Sequence, residues 1–207
     1  MIGLSFLFSQ ISDLSFDIDA EEGELDSEDE VVVKWGPQSY VIDVQGFQYR
    51  SSPFIPKEVT VVSCETGEVV FHRLVSPPIP YSLLGGDFRA QIKWTTRKLH
   101  GLLWDEEGTP YSSLGTDLAI FLLDAHDVIV KGCMKKDFIS QLLPTVNVIN
   151  AEDYTCPSLR EIVSRYGSDA QPCNAHIRGF GDHYCSMLTA LSLYMWMEEN
   201  VVNIEAA

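Results

Sequence analysis

The hydrophobic period of this chain changes once, and that change limits what it can fold into. Ahead of the break at Pro77-Pro78-Ile79-Pro80, the β-branched runs Tyr40–Val44, Glu58–Ser63 and Val69–Val75 follow one another at hairpin spacing. Turn signals separate them, at Gly46 and Pro53 and then at Cys64-Glu65-Thr66-Gly67. Beyond the break, Phe88, Ile92, Leu99 and Leu103 recur at helical spacing and predict a helix over 87–103. Further helices are expected over 114–125, 135–143, 158–166 and 184–197, with short strands over 128–130 and 146–149 between them. The last of these helices is apolar nearly all round, the pattern of a buried core helix.

Three antiparallel strands followed by helix and strand in alternation is the order of an RNase H-like (DnaQ-like exonuclease) fold. This is an α/β class in which helices flank a mixed sheet. At 207 residues the chain has enough length for one such core. Its net charge of −16 is unevenly placed: residues 1–30 hold ten carboxylates and no Lys or Arg. The remainder is only mildly acidic. The expected organisation is an acidic, disordered N-terminal arm over 1–36, a folded domain over 37–200 and a short tail over 201–207. Such an arm is either a solvated tail, a docking arm for a basic partner protein, or a mimic that competes with nucleic acid for the body's own basic surface. The apolar run Ile2–Phe8 has no basic flank and is too short to span a bilayer, so an intracellular protein, cytoplasmic or nuclear and without a membrane anchor, is expected. Five cysteines without a secretion signal point to thiols and metal ligation over disulfides.

The strongest local pattern is Cys173-x2-His176-x8-Cys185. Two soft sulfurs and an imidazole within thirteen residues suit zinc. A structural site needs a fourth ligand, and spacing alone offers Cys156, Asp182 or His183. Buried thiols beside an ordinary hydrogen-bonded His would give the same letters.

The segments Phe54-Ile55-Pro56-Lys57-Glu58-Val59 and Cys173-Asn174-Ala175-His176 through Cys185 resemble the Maelstrom domain, an RNase H-like branch of the DEDDh exonuclease lineage. The resemblance covers roughly Ser39–Met197. In that family a Glu-Cys-His-Cys zinc set replaces the nuclease carboxylates, which here implies Glu58, Cys173, His176 and Cys185 as ligands. It further implies a role in binding RNA or RNA-silencing factors, in transposon or piRNA-type silencing.

An active 3′–5′ exonuclease of this lineage would need four carboxylates to hold two Mg2+ or Mn2+ ions, and a His to activate water. The first strand of such enzymes carries Asp-x-Glu; the matching place here reads Asp43-Val44-Gln45. Gln45 has no charge to offer a hard cation. Asp137 stands for the helix-borne Asp and Asp182 for the last one, so Asp43, Asp137 and Asp182 form at most a remnant catalytic set. A basic stripe, Arg89, Lys93, Arg97 and Lys98 with Trp94 and His100 beside it, offers phosphate contacts and stacking to single-stranded RNA. With a net acidic body, that binding should be weak and strongly salt-dependent. A zinc-stapled protein-interaction module without nucleic acid is the remaining alternative.

Overall fold

The computed structural model describes residues 36–50, 52–167, 173–176 and 185–200. The acidic arm, the 201–207 tail, Asp182 and His183 lie outside these residues.

Three strands, β1 (Ser39–Phe47), β2 (Ile55–Ser63) and β3 (Val69–Ser76), form the expected antiparallel meander. On the other side of β1, β5 (Asp127–Val130) pairs with it in parallel, and β6 (Asn147–Asn150) pairs in parallel with β5. A two-residue strand, β4 (Thr109–Pro110), caps the end of β3 and gives the sheet order β4-β3-β2-β1-β5-β6. A meander extended by parallel strands beyond β1 is the RNase H-like arrangement that the order of elements predicts.

Both faces of the sheet are covered, so the central strands read as almost continuous apolar runs. On one face, Ile42, Val44, Val59 and Val61 pack against α2 (Leu114–Phe121) and α3 (Cys133–Leu142). On the other, Val41, Val62 and Ile129 pack against α4 (Leu159–Tyr166) and α5 (Ser186–Glu199). Period-two alternation assigns neighbouring residues to opposite faces. The helix α4 opens with a capping box: the Glu161 amide donates to Ser158 Oγ and the Glu161 carboxylate accepts from the Ser158 amide. Arg165 and Tyr166 then tie α4 to Glu199 at the end of α5. Buried Ser186, Thr189 and Ser192 are small enough to bring α5 close to the sheet.

The first helix departs from expectation. α1 (Gly86–Thr95) passes into a π turn over Thr96–His100 and stops at Gly101, whose φ of 71° no side-chain-bearing residue adopts cheaply. Leu103 therefore lies outside the helix and 47% exposed, and the wider turn carries His100 inward to 1% exposure. His100 belongs to the core and not to the basic stripe. The predicted 114–125 helix also ends early, at Phe121.

Candidate metal centre

The α4/α5 face of β1 and β2 carries an inward polar patch where the alternation predicts apolar residues: Asp43 and Gln45 on β1, Glu58 and Thr60 on β2. Register pairs Asp43 with Thr60 and Gln45 with Glu58, and all four are buried. Buried polar groups persist only when partnered, and these divide into two partnered sets.

The first set centres on Glu58, fully buried although it stands near the start of a strand. Its Oε1 lies 2.9 Å from Cys173 Sγ, 3.2 Å from His176 Nε2 and 3.6 Å from Cys185 Sγ. All four ligand atoms fall within 4.8 Å of one another. Tetrahedral zinc with ordinary bond lengths sets its ligand atoms about 3.3–3.8 Å apart, so modest side-chain adjustments would close a shell here. Among the described residues, no other group of three or more His, Cys, Asp or Glu side chains converges in this way. The four residues can hold a metal ion, and they are the four that the family resemblance implies. Cys156 is elsewhere, packed in the core beside α4 with its thiol pushed up to about 11 by burial.

Supporting bonds fix the ligands. The Ser186 amide, in the first turn of α5, donates to Glu58 Oε2 at 2.8 Å, and Ser186 Oγ lies 2.6 Å from Thr60 Oγ1. His176 Nδ1 meets the carbonyl of His100, which sets the tautomer that leaves Nε2 free to ligate. The His100 ring is itself held, its Nδ1 accepting from the Leu102 amide and its Nε2 lying 3.0 Å from the Gly46 carbonyl. Burial drives its pKa down to about 4, so it is neutral at physiological pH. Gly46 sits at a β-bulge in β1, where an added Cβ would fall 2.2 Å from the Ile55 carbonyl oxygen.

Charge within the cluster is balanced by protons. Burial would raise Glu58, but bonding and charge from His176, with Cys173 and the Ser186 amide, hold it down at about 2. Burial would lower His176, yet the Cys185 and Glu58 bonds lift it to about 10. The hydrogen bond with Cys173 pulls Cys185 down, while Cys173 itself is pushed up by the same bond, by burial and by Glu58. Metal binding at such a thiol and imidazole site is coupled to proton release.

The second set centres on Asp43, also fully buried. Its Oδ1 meets Lys135 Nζ from α3, and its Oδ2 accepts from Gln45 Nε2 at 2.8 Å. Burial raises its pKa to about 6 despite the lowering effect of Lys135 and Gln45. The helix residue that reaches Asp43 is therefore Lys135 and not Asp137. Asp137 is exposed and lines a separate cavity of about 600 Å3 with Gln48, Tyr111 and Gln141. The side-chain bonds of Asp43 go to Lys135 and Gln45 and none goes to Asp137, and Asp182 lies outside the described residues. Beyond its position two residues before Asp137 on the same helix, nothing in the local sequence around Lys135 marks it as a partner of Asp43.

The basic stripe is divided. Lys93, Trp94, Arg97 and Lys98 are exposed, while Arg89 is half-buried. Lys93 and Arg97 line a cavity of about 890 Å3 that Asp105, Glu106 and Glu107 also line; Trp94 and Lys98 are not among its lining residues. No helix among the described residues is long and apolar enough to cross a membrane.

No family model and no curated protein matches the sequence. Among solved structures, the chain is similar to exonuclease X in complex with 5′ overhanging duplex DNA. The identity is 15%, covering 78% of this chain and 92% of that one, with a TM-score of 0.46. It is also similar to a 3′-exonuclease in a structure of 3′-end specific recognition of histone mRNA stem-loop, at 13% identity, 79% and 82% coverage and the same TM-score of 0.46. The strand order described above, and not these distant likenesses, defines the fold.

Proposed function

We propose that this chain is a zinc-stapled, catalytically degenerate exonuclease-fold protein that binds RNA or RNA-silencing factors inside the cell, as its resemblance to the Maelstrom domain implies. The observation that carries this reading is that both carboxylates on the inner polar patch are already engaged. Asp43 is neutralised by Lys135, and Glu58 belongs to the Cys-His-Cys cluster. Two-metal hydrolysis requires carboxylates free to share cations. A lysine ammonium in contact with Asp43 opposes a hard cation there, and Gln45 adds no charge to attract one.

In this reading Glu58, Cys173, His176 and Cys185 would hold zinc, which supplies cross-linking and no chemistry on a substrate. It would join β2 to the 173–176 segment and the start of α5. Soft sulfur with imidazole favours zinc over Mg2+ or Mn2+. Exposed Trp94 and Lys98, with Arg97, Lys93 and Arg89 beside them, would provide weak, salt-dependent contacts to single-stranded RNA. The acidic arm would compete for that surface or dock a basic partner.

Metal analysis of the purified full chain tests the centre: one zinc per chain is expected, lost in Cys173→Ser and Glu58→Ala. Labelled single-stranded RNA tests the rest. Retention at low salt without shortening in Mg2+ or Mn2+ is expected. Digestion abolished by Asp43→Ala would instead establish an active exonuclease.

A further inference from the structure

The cavity beside α1 has a charge pattern that the RNA reading does not account for. Its apolar lining is Ile92, Leu103 and Trp104; Leu103 is 47% exposed, whereas Ile92 and Trp104 are buried. Its charged lining comes from two segments: Lys93 and Arg97, from α1 and the π turn, form the basic wall, and Asp105, Glu106 and Glu107, which follow Trp104, form the acidic wall. With three acidic and two basic residues in its lining, the cavity itself is a poor seat for a phosphate chain, whatever contacts Lys93 and Arg97 make to RNA from its rim.

Both walls are fixed by interior bonds. The acidic wall hangs on Lys57, a fully buried lysine whose Nζ donates to the carbonyls of Val75 and Glu106 at 2.6 and 2.9 Å. Trp104 Nε1 donates to the Ile79 carbonyl at 3.0 Å. On the basic wall, Thr96 Oγ1 donates to the Leu102 carbonyl at 2.8 Å. Phe47, Leu84, Ile92 and Trp104 form a small core of their own beneath the groove. A groove of this kind is preformed, so a ligand does not have to order it.

We propose that this groove docks a linear segment of a partner protein in which one bulky apolar side chain stands between an acidic residue and a basic one. The apolar side chain covers Leu103 and lies along Trp104. The acidic residue faces Lys93 and Arg97, and the basic one faces Asp105 and Glu107. An apolar anchor between oppositely charged walls fixes the direction of the peptide as well as its place, because reversing it sets like charges together. The docking holds whether or not the chain also binds RNA through Trp94 and Lys98.

The test is a selection of random displayed peptides of about twelve residues on the zinc-loaded full chain, followed by titration of the selected peptides as synthetic probes. Selected peptides should converge on an apolar residue flanked by opposite charges. Their Kd should rise about tenfold or more on Leu103→Asp and on the double change Lys93→Glu with Arg97→Glu. Exchanging the acidic and basic positions of a peptide should weaken it by a similar factor, a readout on the unaltered protein that no folding defect can mimic. The proposal is overturned if no peptides converge, or if their affinity ignores those substitutions and the charge exchange. It is equally overturned if no peptide binds while a twelve-nucleotide oligouridine loses affinity on the same substitutions, which would make the groove a nucleic-acid site.

Discussion

Replacing Lys135 by Met removes the only cation in contact with Asp43 among the described residues, and the cost should depend on pH in a direction the structure fixes. In the intact protein Asp43 is fully buried with a pKa of about 6, above its ordinary 3.8. The native state therefore keeps this proton to a higher pH than the unfolded state does. Stability associated with Asp43 is full below about pH 4, is lost as pH rises towards 6, and is flat above it, by about 3 kcal/mol in all at about 1.4 kcal/mol per unit. Without Lys135, burial and the nearby Glu58 act unopposed except by Gln45, so the pKa rises further and the loss continues through neutrality. At pH 8 the variant should be less stable by about 3–5 kcal/mol, the usual cost of leaving a buried charge without its partner. At pH 5, where Asp43 is largely protonated in both proteins, only lost packing remains, about 1 kcal/mol. Urea denaturation of the zinc-saturated chain at the two pH values, followed by tryptophan fluorescence, measures both. Differences between variants cancel the contribution of the metal site, and adding Asp43→Asn to Lys135→Met should erase most of the pH 8 penalty. An equal penalty at both pH values, or no recovery with Asp43→Asn, would refute the role given to this pair.

Cys185→Ser should abolish stoichiometric zinc and, by severing the link between α5 and β2, lower the melting temperature; EDTA should then lower the melting temperature of the intact protein but not of the variant. The metal's share of folding is bounded by the values of structural zinc, on the order of 10 kcal/mol. Gly46→Ala forces a Cβ to within 2.2 Å of the Ile55 carbonyl oxygen, so β1 and β2 must part at the bulge. A loss of about 3 kcal/mol in chemical denaturation is expected, at the upper end of overpacking costs. Ser158→Ala removes the cap of α4 and should cost about 1 kcal/mol in the same assay.

The elements that were legible in the sequence are those whose pattern repeats over several residues. β1 to β3 alternate or run apolar, α5 is apolar on nearly every side, and the helix expected over 158–166 is found as α4. What was not legible depended on contacts across the fold. Glu58 follows Pro-Lys at a strand start and reads as a surface residue until α5 and the 173–176 segment cover it; only the family resemblance nominated it. Lys135 and Asp137 lie on one helix, and no periodicity reveals which of them turns towards β1. The helix that periodicity carried to Leu103 ends at Gly101 because φ, and not hydrophobicity, decides there. β4 has only two residues and so no pattern to detect. His100, close behind Arg97 and Lys98 in sequence, reads as part of a binding stripe, whereas the π turn rotates it into the interior.

His100 bears on how the domain would report its own metallation. One imidazole joins the carbonyl of the bulged Gly46 to the amide of Leu102, and its main-chain carbonyl meets His176. Leu102 is next to Leu103 and Trp104, which line the groove. Metal loss at His176 would thus slacken a lever whose far end lies on the protein surface, and the buried Trp104 indole makes that end optically visible. A zinc titration followed at the tryptophan emission should register the ion although no tryptophan is among its ligands, and His100→Phe should mute the signal. Occupancy of the interior clasp would then act as a licence for recognition outside, with a single histidine as the linkage.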